Sequence, residues 1–322
     1  MSIENTTTAA DNTTFETAYT HASLTFTSLD LVQLLVGIVG TIGNAAVVAT
    51  VASVTFLRTI PNFFIAGLAI TDLLASLCIV AKVFYSQRPI PAMFDPDVYC
   101  KLVISNIFFW LTATASVFIL VGVTIERYVA IVYPFLYQAK FTQTKAIILI
   151  ITAWVLSFLS CSFIPVVTKF HDGYCFEIWP SETYMLFTGF AVFFFTYLTP
   201  MVFTIFAYVK MFYQLHKTSM PSIDASMMVA RRRILRLLSL VVAAFFTCWS
   251  PNQLIYLAAN CGVNIDFYSW YYEASVLLSL ANSCVNPFIY ALRSRQFRDG
   301  FRLALFRCPN AVGNESTAVA AT

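Results

Sequence analysis

Charge is what this sequence has least of. Asp, Glu, Lys and Arg make up 11% of its 322 residues, where soluble domains carry roughly a quarter. With 59% hydrophobic residues and a mean hydropathy of +0.76, a soluble globule would leave much of its apolar surface in water. Metal and phosphate signatures are missing too. The eight cysteines form no CxxC pair and no zinc spacing. There is no Walker loop, GxGxxG, HExxH or GxSxG. With no nucleophile–base or metal constellation, no enzyme is expected, nor any nucleic-acid partner. The first thirty residues lack both Lys and Arg and a short apolar core, so they do not read as a secretory signal. Internal repeats of the transporter kind are also missing.

What is present is a series of seven apolar runs, each near the roughly 20 residues that cross a bilayer. They run Leu31–Phe56, Phe63–Tyr85, Leu102–Val132, Ala146–Val167, Tyr184–Phe212, Ile234–Ala259 and Tyr268–Leu292. The connections are short. The expected fold is therefore an all-α membrane protein: residues 1–30 as an extracellular tail, 31–292 as a seven-helix bundle, 293–307 as a short amphipathic eighth helix, and 308–322 as a cytoplasmic tail. With the N-terminus outside, 15 of the 19 Lys and Arg fall at the inner ends and loops. The outer side keeps Lys82, Arg88, Lys101 and Lys169 against eleven acids, among them Glu177 and Glu273. Sequons at Asn5 and Asn12 lie in the outer tail and are candidate glycosylation sites. Phe297, Phe301 and Leu305 recur every four residues and share a face, with Arg295, Arg298 and Arg302 largely elsewhere. Such a helix suits an anionic inner leaflet. Cys308 follows it, and two readings stay open: a palmitoylated cysteine or a free thiol.

Ionisable groups inside a membrane are costly and tend to be functional. Here Asp72 stands alone in the second run, and Glu126-Arg127 lie near the inner end of the third. Asn282, Asn286 and Tyr290 are spaced four apart on one face of the seventh. Arg127 can be read as snorkelling to headgroups or as a switch paired with Glu126. Pro200, Pro251 and Pro287 each remove a backbone hydrogen bond, giving a hinge or a static bend.

At these residues the chain resembles the rhodopsin-like (class A) G-protein-coupled receptors. The motifs are Gly43-Asn44, Leu68-Ala69-Ile70-Thr71-Asp72, Glu126-Arg127-Tyr128, Trp154, Pro200 with Tyr208, Phe245 with Cys248-Trp249-Ser250-Pro251, and Asn282-Ser283-Cys284-Val285-Asn286-Pro287-Phe288-Ile289-Tyr290. They occur in order, one set per span, over about residues 30–308. The resemblance implies an activation switch built from Glu126, Arg127, Tyr128, Tyr208, Phe245, Trp249, Pro251, Asn286, Pro287 and Tyr290. It implies a heterotrimeric G protein and arrestin as inner partners, membrane lipids around the bundle, and the plasma membrane as location. It also implies an allosteric sodium ion on Asp72, Ser116, Asn282, Ser283 and Asn286, beside which a protonated Asp72 in a water network stays open. No other cofactor is expected.

The resemblance further implies a disulfide between Cys100 and Cys175, with Cys261 as a rival partner. One departure bears on it. Arg127 follows Cys100 by 27 residues, some two more than is usual in the family, and two residues turn a helix by about 200°. Either the span opens with an irregular turn or the cysteine sits in the loop. The basic run Arg231-Arg232-Arg233 stands where some relatives carry an acid that pairs with the third-span arginine, so that second lock is not expected.

The expected ligand pocket is walled by Phe109, Ala113, Glu177, Trp249, Asn252, Gln253, Tyr256 and Glu273. Phenylalanine at 109, where amine receptors of the family carry aspartate, argues against a biogenic amine. Leu280 stands where opsins carry the retinal lysine, which argues against a light receptor. The Pro251-Asn252-Gln253-Leu254 sequence and the basic inner loop resemble invertebrate peptide receptors. A short peptide is therefore the expected ligand, with a non-peptide small molecule or a lipid as the alternative.

Overall fold

The computed structural model describes residues 26–85, 88, 90–217, 225–266 and 269–306. Asn5, Asn12 and Cys308 lie outside the described residues. The long helices are α1 (Ser28–Ser53), α2 (Ile60–Tyr85), α3 (Ile107–Val132), α4 (Gln143–Cys161), α5 (Glu182–Lys217), α6 (Ala225–Asn260) and α7 (Trp270–Arg293). After them comes α8 (Arg295–Phe306). Among the described residues, seven segments are long and apolar enough to cross a membrane.

Local chemistry sets several boundaries. Thr27 caps α1: its hydroxyl accepts from Asp30 N at 3.1 Å, and the Asp30 carboxylate accepts from Thr27 N at 2.9 Å. Thr142 and Ser181 cap α4 and α5 the same way, accepting from Lys145 N and Tyr184 N. The first expected span overran its helix: Phe56 lies in a 3-10 turn, Thr55–Leu57. In α5 a π turn, Phe194–Leu198, immediately precedes Thr199 and Pro200. Proline has no N–H to offer the preceding turn, and the wider turn is a local adjustment to that loss.

Packing runs opposite to that of a soluble protein. Large apolar side chains such as Leu35, Ile42, Phe158 and Phe187 face outward, and Asn44, Asp72 and Glu126 are buried. A bilayer is the solvent in which that arrangement is stable. α3 packs against α2, α4 and α5; α1 packs against α2 and α7; and α6 packs against α7. α1 and α2 approach so closely that a β-carbon at Gly40 has no room against Ser76.

Between α4 and α5 a β-hairpin, β1 (Thr168–His171) and β2 (Tyr174–Glu177), pairs Phe170 with Cys175. Its two-residue turn, Asp172-Gly173, has φ values of 47° and 86°. That left-handed pair matches the twist of a hairpin, and glycine takes it without strain. The hairpin closes one end of the bundle. At the other end α8 buries Phe297 against Tyr290 of α7, their rings stacked at 5.2 Å. Gly300 brings α8 against Leu57 and Thr50.

Candidate functional site

At the hairpin end Cys100 and Cys175 are joined, with their Cα atoms 5.6 Å apart. Cys261 is free and exposed. The two-residue excess before Arg127 has a physical explanation. Cys100–Ile104 forms a π turn, and Asn106 follows with a left-handed φ of 54°. The extra residues are absorbed there, before α3 proper begins at Ile107. Asp97 accepts from Phe170 N at 3.2 Å and pairs with Lys101, which adds a second tie to the hairpin.

Below this clamp lies a cavity of about 40 Å³ whose walls include Lys82, Asn106, Phe109, Trp110, Asn252 and Ser279. That is room for only a few water molecules, so a peptide side chain enters only if the walls part. Two expected pocket residues, Phe109 and Asn252, line it. Trp249 sits below, stacked on Phe245 at 5.9 Å and edge-on to Trp110 at 6.2 Å. Ala113 is buried outside the lining. Gln253 and Tyr256 also lie off it, and Gln253 Oε1 is buried without a partner among the described residues. Glu273 is exposed in the first turn of α7. Glu177 keeps solvent access, yet its charge acts on Tyr256 of α6 and Tyr272 of α7. The protein crowded around it pushes the Glu177 carboxyl above the usual carboxylate range.

Midway along the bundle, Asp72 is 1% exposed. Asn286 Nδ2 donates to its Oδ2 at 2.7 Å, linking α7 to α2. Asn44 Nδ2 donates to Ser283 O at 2.6 Å, linking α1 to α7. Ser116, Asn282 and Ser283 are buried as well, with the Ser116 hydroxyl donating to Ala113 O of its own helix. Among the described residues no basic side chain pairs with Asp72. Of the four residues grouped with Asp72 by the sequence, Asn286 is the one seen on its carboxylate, through an amide N–H rather than an oxygen.

At the opposite end Arg127 Nε and Nη2 donate to the two carboxylate oxygens of Glu126 in a bidentate pair. Glu126 is fully buried and Arg127 is 9% exposed. A third partner was not foreseen: Tyr137, in the short helix Pro134–Lys140, donates to Glu126 Oε1 at 2.5 Å. Burial first, then the Glu126 charge, push the Tyr137 phenol upward, so it stays a donor. The only sequence signal was a tyrosine one turn after Pro134. α6 contains no acidic residue that could form a second lock. The Tyr208 hydroxyl is buried near Arg127, and the Tyr290 hydroxyl lies toward Tyr208 and Asp72; neither has a partner among the described residues. Tyr128, by contrast, points to Tyr133, ring to ring at 6.1 Å. Beside Pro251, Ser250 donates to Phe246 O at 2.5 Å and so accepts from Tyr197, an α5 brace on α6 next to its proline.

Comparison with known proteins agrees with this layout. A family model described as 7 transmembrane receptor (rhodopsin family) matches residues 43–290. The RYamide receptor of Drosophila melanogaster is 27% identical over 274 residues, covering 79% of this chain and 58% of that receptor. The allatostatin-A receptor of Bombyx mori is 30% identical over 287 residues, 85% and 78% of the two chains. The substance-K receptor of Mus musculus is 27% identical over 293 residues, 87% and 74%. The match spans all the helices that hold the buried carboxylates, the in-helix prolines and the Arg127 pair, and the chain belongs to the rhodopsin family of seven-transmembrane receptors.

Proposed function

We propose that this chain is a plasma-membrane receptor that binds a short, positively charged peptide at its hairpin end. It then activates a heterotrimeric G protein at its α8 end. The observation that carries the reading is the Glu126–Arg127–Tyr137 cluster: a buried ion pair with no second acid on α6, beside the unpartnered Tyr208 hydroxyl. Tyr208 offers Arg127 an alternative partner once Glu126 lets go. Peptide ligands are supported by the names of the related receptors and by the acids on the hairpin side. The excess of Lys and Arg at the other end supports a cytoplasmic α8. Arrestin would use the same face, and Asn5 and Asn12 would carry glycans outside.

Phe109 and Asn252 would meet the ligand first, with Ala113, Gln253 and Tyr256 deeper or to the side, and Glu177 and Glu273 at the mouth. Movement of the Trp110–Trp249–Phe245 stack would pass the event to the bend at Pro251, and Asn286-Pro287-Tyr290 to the α8 end. Asp72, Ser116, Asn282, Ser283 and Asn286 would hold a sodium ion that supplies the missing positive charge in the resting state. The test is a panel of candidate peptides against the expressed receptor, read as nucleotide exchange on added G protein. Arg127→Ala should abolish exchange and spare peptide binding. Normal exchange in that variant would sink the reading.

A further inference from the structure

A furrow between α6 and α7 takes no part in the receptor action proposed above. Its apolar stretch, about 500 Å³, is walled by Leu240, Ala243, Ala244 and Thr247 of α6 and by Ile289 and Leu292 of α7. Positions 240, 243, 244 and 247 share one helical face. Leu240, Ala243, Thr247 and Leu292 are exposed, Leu292 at 74%. The furrow therefore opens sideways, toward where acyl chains lie. At its end it runs into a second concavity of about 600 Å³ bordered by Arg233, Arg236 and Arg293. Leu240 and Arg293 border both, so the two are continuous.

Charge distinguishes this place from α8. Arg298 Nη1 donates to the α7 carbonyls of Ala291 and Leu292 at 3.3 and 3.1 Å. Arg295 and Arg302 stand 3.9 and 4.0 Å from Asp299. Arg233, Arg236 and Arg293 are exposed, and among the described residues none pairs with a carboxylate. Length agrees as well. Arg236 to Thr247 spans about 16 Å of helix, and one leaflet of hydrocarbon is about 15 Å deep.

We propose that this furrow is a binding site for an anionic glycerophospholipid. Its phosphate lies on Arg233, Arg236 and Arg293, and one acyl chain lies along Leu240–Thr247 and Ile289–Leu292. The site rests on the reading that the α8 end faces the anionic leaflet. A lipid held across both helices couples membrane composition to the position of α6, the helix with the Pro251 bend.

The test uses the purified full chain in detergent, titrated with phosphatidylserine and with phosphatidylcholine, and bound lipids counted by native mass spectrometry. No peptide or G protein is present, so its failure is separate from a failure of the receptor reading. The intact chain should prefer phosphatidylserine by on the order of a hundredfold, about fivefold per arginine. The triple variant R233Q/R236Q/R293Q should bring that preference near parity, and R295Q/R302Q should leave it unchanged. Ala243→Phe fills the apolar stretch, keeps the arginines, and should lower retention of both lipids. Melting in lipid-free detergent reports whether each variant is folded. Unchanged preference in the folded triple variant would overturn the proposal, as would an equal loss in R295Q/R302Q. Glycerophosphoserine displacing the lipid at equal concentration would make this a site for free phosphate and overturn it. Dimers that exclude lipid would assign the furrow to a second copy of the chain, with the same result.

Discussion

At the hairpin end, α3 is anchored by the Cys100–Cys175 bond and by Asp97 on Phe170 N, whereas at its other end Arg127 is paired with Glu126, whose carboxylate also accepts from Tyr137. A covalent tie has one geometry and no alternative partner. A buried ion pair can be exchanged for other partners, provided no charge is left alone in low dielectric. The unpartnered Tyr208 hydroxyl makes that exchange feasible at the Arg127 end. The same helix is thus fixed where a ligand needs a rigid wall and switchable where a partner protein must be told of it.

The sharpest way to break this contrast is to cut the covalent end. The Cys100–Cys175 bond closes a loop of 75 residues, and the chain-entropy estimate for such a loop is about 4 kcal/mol. Cys175→Ser should lower the melting temperature in detergent markedly and abolish peptide binding. A variant that melts and binds like the intact receptor would mean that Asp97 and the hairpin hold the end unaided. Loosening the other end should do the reverse. Tyr137→Phe deletes one hydrogen bond to a buried carboxylate, worth about 1.5 kcal/mol, without unpairing any charge. Basal nucleotide exchange should rise up to about tenfold, with melting little changed. Unaltered or lower basal exchange would show that Tyr137 does not restrain Arg127.

Between the two ends, Asp72 tests whether the middle of the bundle belongs to the fixed or the switchable half. If sodium occupies it, raising sodium should weaken agonist potency by about fivefold, at the low end of allosteric couplings. Asp72→Asn should remove that dependence, since the amide keeps the shape and loses the charge. Agonist titrations in sodium against a large organic cation would decide it. Equal curves for the unmodified receptor would leave Asp72 to its bond with Asn286.

Composition and spacing made most of the frame legible. Seven apolar runs can only be helices in lipid, and Asp72 stood out because nothing charged surrounds it in the sequence. Residues whose partners are distant in sequence were harder. The Cys100 offset signalled an irregular start to α3, but not that a π turn and a left-handed Asn106 would share the work. Trp110 reads as one more aromatic in a lipid-facing run until α6 brings Trp249 against it. Tyr137 sits in a connection whose short helix, not its composition, aims it at Glu126. The arginines of α8 looked free for the leaflet, and Arg298 instead caps α7. Each of these depends on how two elements meet, and periodicity within one element carries no trace of that.

The smallest expected effect concerns the mouth, where attraction rather than fit is at stake. The Glu177 charge reaches Tyr256 and Tyr272, and the residue stays reachable from solvent. The protein crowded on one side of its carboxyl pushes it upward, so the folded chain favours the neutral form. The linkage sign follows. Its contribution to folding is full below the usual glutamate range and is lost as pH rises through the raised value. For a cationic ligand the sense is opposite, because only the ionised form attracts. Acidification should therefore weaken agonist potency, beginning at a higher pH than an ordinary glutamate would give. An accessible ion pair is worth under about 1 kcal/mol, so Glu177→Gln should lower potency only about threefold at neutral pH. It should also flatten the acid limb of the profile and reduce the loss of potency in high salt, which screens the same attraction. Agonist titrations at several pH values and two salt concentrations, with Glu273→Gln alongside, would separate the two acids. If Glu177→Gln keeps both the acid limb and the salt dependence while Glu273→Gln loses them, the recruiting charge lies on the exposed first turn of α7 and not on the hairpin. If neither variant changes either slope, charge at the mouth plays no part in capture.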